Sequence, residues 1–100
     1  MKRKRKPNLL RFILKNNNEM KFELYTQVAL NTDVPKYLLQ KGDVVTLVEF
    51  LEGNESLPNA YVCEIFNAVG DTIGVCTVAE NHLIQLSKNE ILHTRLLDAA

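Results

Sequence analysis

Two histidines, two cysteines and four carboxylates are the residues with which this chain could do chemistry. His82 stands close after Glu80, a spacing that could pair an imidazole base with a carboxylate that orients it. A solvated turn explains both residues more simply. His93 is isolated. Cys63 and Cys76 belong to no CxxC motif, and no His/Cys set has zinc spacing. Both sit inside strand-like apolar runs and read as reduced core thiols. A disulfide between them would require their strands to be neighbours in the right register. Asp43, Glu49 and Glu64 could cluster, but single exposed carboxylates are ordinary on strands. There is no Ser/His/Asp set, phosphate-cradling loop or paired carboxylate on rigid strands. The expectation is a chain that is not an enzyme and has no catalytic residue, metal site or cofactor.

The elements that would position these residues are short strands separated by turn chemistry. Residues 24–30 are rich in β-formers, including Tyr25, Thr26 and Val28. Asn31, Asp33 and Pro35 then supply a loop. Residues 37–40 are a brief apolar piece, and Lys41-Gly42-Asp43 is a tight turn in which Gly42 takes a positive φ. Residues 44–51 read as the strongest strand and residues 60–66 as another, with a long polar loop between them. Asn67 to Asp71 forms a hairpin loop. Residues 72–78 return, with Gly74 marking a bulge or a close backbone crossing. A short turn at 80–82 leads to a last strand at 83–86.

This order predicts an all-β domain, a small five-stranded SH3-like barrel over residues 20–87. Closing a small sheet on itself hides its edges and builds a core from few residues. The expected core is Leu24, Val28, Leu30, Leu39, Val44, Val48, Tyr61, Cys63, Ile65, Cys76, Val78 and Leu83. Ser87 and Glu90 have capping-box spacing, and Leu86 and Ile91 occupy the staple positions. Residues 88–100 are therefore expected to be a C-terminal helix or tail, with the helix running from Ser87 to about Leu97. A helix this short needs something to pack on.

Charge divides the chain. Residues 1–15 carry seven basic groups and no acidic one, whereas residues 20–100 carry five basic groups against eleven acidic ones, a net of −6. An acidic body disfavours general binding to nucleic-acid backbone. The basic head, residues 1–19, reads in three ways. It could be a flexible arm touching an acidic partner, a membrane surface or nucleic acid. It could be a weak amphipathic helix resting on the barrel. Or it lies outside the natural protein, with Met20 the true start. It does not read as a signal peptide, because Arg11 breaks its apolar segment and no small-residue cleavage site follows. No apolar run is long enough to span a bilayer.

The residues resemble a small bacterial family of uncharacterised domains, well represented in cyanobacteria, with an SH3-like barrel fold. Asp33-Val34-Pro35 stands for its loop, and Leu39 with Lys41-Gly42-Asp43-Val44 for its turn. Thr46 and Val48-Glu49 continue the strand. Ala60-Tyr61, Cys63-Glu64-Ile65, Thr72, Val75-Cys76-Thr77-Val78 and Leu83 fill the rest. The resemblance spans about residues 21–86 and excludes the head and the tail. Leu38 and Val45 depart from it, standing where members often have Gly. The resemblance implies no established function. Its members look like small partners encoded beside another small protein, as in a toxin–antitoxin or accessory-subunit pair. The Lys-Gly-Asp-Val turn also looks like one in RNA-touching barrels, but those barrels are basic.

The function expected is that of a cytoplasmic protein-interaction or accessory domain. Its candidate protein contacts are Tyr37, Leu38, Phe50, Leu51 and Phe66. The alternative is nucleic-acid binding, with Lys2, Arg3, Lys4, Arg5 and Lys6 as phosphate contacts. A homodimer joined through the C-terminal helix or an edge strand is a third reading.

Overall fold

The computed structural model describes residues 19–97. Five strands form one antiparallel sheet: β1 (Gln27–Leu30), β2 (Val44–Leu51), β3 (Ala60–Phe66), β4 (Thr72–Ala79) and β5 (Leu83–Gln85). The spatial order is β4-β3-β2-β1-β5. A 3-10 turn at Pro35–Tyr37 precedes β2, and another at Glu80–His82 joins β4 to β5. The spans of β2 and β3 coincide with the two strongest strand signals in the sequence.

The expected barrel is not closed. β4 and β5 are the two edges of the sheet and do not pair with each other. β5 has only three residues, all spent on pairing with β1 through Val28, Ala29 and Leu30.

The β3 side chains alternate as expected. Tyr61 and Cys63 are fully buried, with Ile65 partly buried beside them. β2 differs. Val45 and Leu47 face the core, whereas Val44 and Val48 are only half-buried. A register shift between Leu47 and Glu49 then brings Phe50 opposite Tyr61. A bulge of this kind moves later side chains to the other face. Phe50 lies 5.3 Å from the Tyr61 ring, and Phe22 meets that ring edge-on at 5.9 Å. Phe22 is buried although it precedes any strand, and Leu24 packs only partly against the core.

The expected C-terminal helix is absent. Its start signal still forms locally, with the Ser87 N–H donating to Glu90 Oε1 at 2.7 Å and the Glu90 N–H to the Ser87 carbonyl at 3.2 Å. No helix follows; residues 91–97 take no regular secondary structure. One turn is a poor nucleus, and the β-branched Ile91 and Thr94 with His93 add little propensity. A non-helical path instead lets Arg95 reach Asp43 and Leu97 reach the core.

Candidate protein-interaction groove

The turn before β2 is built to present Asp43. Gly42 adopts a φ of 93°, which an L side chain rarely takes. Its N–H donates to the Leu30 carbonyl at 2.8 Å, and the Asp43 N–H to the Gln40 carbonyl at 3.0 Å. The Gln40 N–H donates to Asp43 Oδ2 at 2.7 Å, fixing the carboxylate. Leu38 lies nearby in the left-handed region, at φ 63°.

Arg95 engages this turn from the tail. Its Nε donates to Asp43 Oδ1 at 2.8 Å, and its Nη2 to Asp43 Oδ2 and to the Leu38 carbonyl. Partial burial works to raise the Asp43 pKa. Hydrogen bonds from Arg95 and the Gln40 N–H, with the Arg95 charge, outweigh it and hold the carboxyl below its ordinary value. The same pairing raises the Arg95 pKa.

Beside this pair lies an apolar groove of about 620 Å³ at the end of the sheet where β2 begins. The sheet lines it with Leu39, Val44, Ile65, Phe66 and Ile73, and the β3–β4 loop adds Val69. The tail from Leu92 to Leu97 runs along it. A second hollow, about 570 Å³, lies against Ala29, Leu30 and Ile84, and Asp43 and Arg95 border both. Phe66, Val69 and Ile73 keep large apolar area in solvent. Contiguous exposed apolar area on a small domain marks an interaction surface more often than scattered single residues do.

The structure divides the expected contact residues. Leu38 and Phe66 are exposed, and Phe66 lines the groove. Tyr37 is half-buried against the core and stacks under the Lys36 ammonium at 5.4 Å. Phe50 is a core satellite on Tyr61. Leu51 is exposed but pairs with Ala60, at the opposite end of the ribbon from Phe66. The five therefore do not form one patch. Arg95, Asp43 and Leu97 were missed as groove residues. A lone arginine in a presumed helix and an aspartate in a tight turn carry no sequence signal that they meet. Lys2, Arg3, Lys4, Arg5 and Lys6 lie outside the described residues.

The remaining candidates for chemistry are held elsewhere. Glu80 Oε2 accepts from the Tyr61 hydroxyl, so its carboxylate faces Tyr61, while His82 is exposed. Asp43, Glu49 and Glu64 sit in the turn, after the β2 bulge and mid-β3, and Glu64 accepts from Thr72. Cys63 and Cys76 are directly opposite each other on β3 and β4, both buried and free. Hydrogen bonding with Cys76 and burial push the Cys63 thiol pKa up. Among the described residues, no three His, Cys, Asp or Glu side chains are placed to hold a metal. No helix among them is long and apolar enough to cross a membrane.

The class these features define is a small antiparallel β-domain with an apolar groove at one end and a charged clasp beside it. Residues 24–85 match the domain of unknown function DUF4926, and the chain belongs to that family. No curated protein and no solved structure matches it. The match stops short of the tail that forms one wall of the groove.

Proposed function

We propose that this chain is a non-enzymatic, cytoplasmic protein-interaction domain of SH3-like barrel type, and that it grips a protein partner in the groove at the head of β2. The accessory or toxin–antitoxin-like pairing implied by the family resemblance fits such a role. The meander order, with a 3-10 turn returning the last strand to the first, supports the architectural reading. The observation that carries the function is the groove itself, whose Phe66, Val69 and Ile73 remain in solvent beside a fixed carboxylate. Nucleic-acid binding is the weaker reading, since Asp43 borders the groove and acidic residues outnumber basic ones in the body.

The test is affinity isolation from the native host with full-length chain, wild type against Phe66→Asp. A stoichiometric partner recovered by the wild type and lost with the variant, circular dichroism unchanged, is the expected result. Recovery of the chain alone, or of the same partner by both proteins, overturns the reading.

A further inference from the structure

We propose that the groove recognises an extended segment of a partner protein with an arginine two residues ahead of an aliphatic side chain, and that the chain's own Arg95 and Leu97 hold the site until that partner displaces them. The inference rests on the protein-interaction reading and names the partner's chemistry.

The tail behaves as a ligand rather than as part of the domain. It lies outside residues 24–85, the stretch the family shares. It takes no regular secondary structure, and none of its residues pairs with a strand. Two side chains anchor it. Arg95 makes the forked contact with Asp43 and a third bond, of 2.9 Å, to the Leu38 carbonyl. Leu97 packs against the core cluster. Leu96 between them is 81% exposed. Two anchors flanking one outward-facing residue match the way an extended peptide is read at alternate positions.

The receptor side is held by bonds that do not involve the arginine. The Gln40 N–H aims the Asp43 carboxylate, and the left-handed turn at Leu38 presents its carbonyl. A planar guanidinium is the group that satisfies a carboxylate in two-point fashion and reaches a carbonyl at the same time. Charge agrees, because a basic segment approaches an acidic body. A partner segment with the same two anchors, plus contacts to Phe66 and Ile73, would outcompete the tail.

The test titrates a fluorescent peptide of sequence Ile-Leu-His-Thr-Arg-Leu-Leu against full-length chain, followed by anisotropy. The Arg95→Ala/Leu97→Ala variant should bind it about fivefold more tightly than wild type, as expected if the tail holds its two anchor sites about four-fifths of the time. Adding Asp43→Asn to that variant, or replacing the peptide's arginine by alanine, should abolish binding. No saturable binding by the double variant up to about 1 mM, or binding indifferent to Asp43→Asn, overturns the proposal. So does a wild-type dimer that becomes monomeric on Arg95→Ala/Leu97→Ala, because the tail would then serve a second copy. Should the Phe66-dependent partner be recovered while the peptide fails, the interaction reading stands and this inference alone falls.

Discussion

The Tyr61 hydroxyl donates to Glu80 Oε2 at 2.9 Å while accepting from the backbone N–H groups of Phe22 at 3.0 Å and Lys21 at 3.1 Å. One phenol on β3 thus ties the segment ahead of β1 to the 3-10 turn ahead of β5. Its ring, fully buried, separates Phe22 from Phe50. The hydroxyl is the only part of the side chain that needs polar partners, and it has three.

Tyr61→Phe keeps the ring packing and strands the buried Phe22 N–H, whereas the Lys21 N–H and Glu80 Oε2 still pair with each other at 3.2 Å. The expected loss is about 1–3 kcal/mol, the usual cost of unsatisfied buried polar groups, read from urea denaturation. The Tyr61 pKa is raised, first by burial and further by Glu80, against the opposing Phe22 hydrogen bond. The folded state therefore holds this proton more tightly than the unfolded chain. Stability from this group is complete below the ordinary phenol pKa of 10.0 and falls as pH rises beyond it. The wild type should lose more stability than Tyr61→Phe between neutral and strongly alkaline pH. Parallel curves for the two proteins would show that the hydroxyl has no such role.

Leu38 pays for a left-handed backbone that glycine adopts freely, and about half of it is in solvent. Leu38→Gly is expected to raise stability by about 0.5–1 kcal/mol, the left-handed penalty less the glycine chain-entropy cost. A lower melting temperature would mean that the leucine side chain contributes packing that outweighs the strain.

Gly53 lies where the long β2–β3 loop folds back on itself. A Cβ there would stand 2.3 Å from the Leu57 carbonyl oxygen and 2.5 Å from the Pro58 carbonyl carbon. Neither atom is the end of a flexible side chain. Gly53→Ala should destabilise by about 1–3 kcal/mol, measured by thermal melting. An unchanged melting point would show that the loop opens without cost.

Cys63 and Cys76 should both resist an aromatic disulfide reagent at pH 8 in the native chain and both react once it is denatured. Neither thiol reaches solvent appreciably, and the Cys63 pKa is pushed up by Cys76 and by burial. Fast labelling of either thiol under native conditions would reveal local opening of the β3–β4 hairpin.

The spans of β2 and β3 were legible because β-branched and aromatic runs end sharply at Gly42-Asp43, Gly53 and Asn67, whereas β1 starts only at Gln27, since Leu24 and Tyr25 form a turn with Tyr25 at φ 64°. Which face of β2 is buried was not legible. Val44, Val45, Leu47 and Val48 offer apolar side chains to both faces, so alternation alone cannot choose. Pairing chooses: Val45 faces Val28, and the bulge after Leu47 turns Phe50 inward. The turn at residues 80–82 was legible from local chemistry. The groove was not, because it depends on residues far apart in sequence, Asp43 and Arg95, and on Phe66 meeting the tail. At Ser87 the Glu90 half of the capping box forms locally, yet no helix follows it. Phe22 joined the core without a strand pattern, held by the phenol of Tyr61.

An open sheet has a practical cost at the bench. Among the described residues no strand pairs with the outer side of β4, and Thr72–Ala79 contains neither lysine nor proline to deter an approaching strand. The irregularity near Ile73 disturbs only one end of it. Concentrated stocks of this protein will tend to grow ribbon to ribbon along that margin, and a single Thr77→Lys exchange on its exposed face is the simplest way to keep them clear.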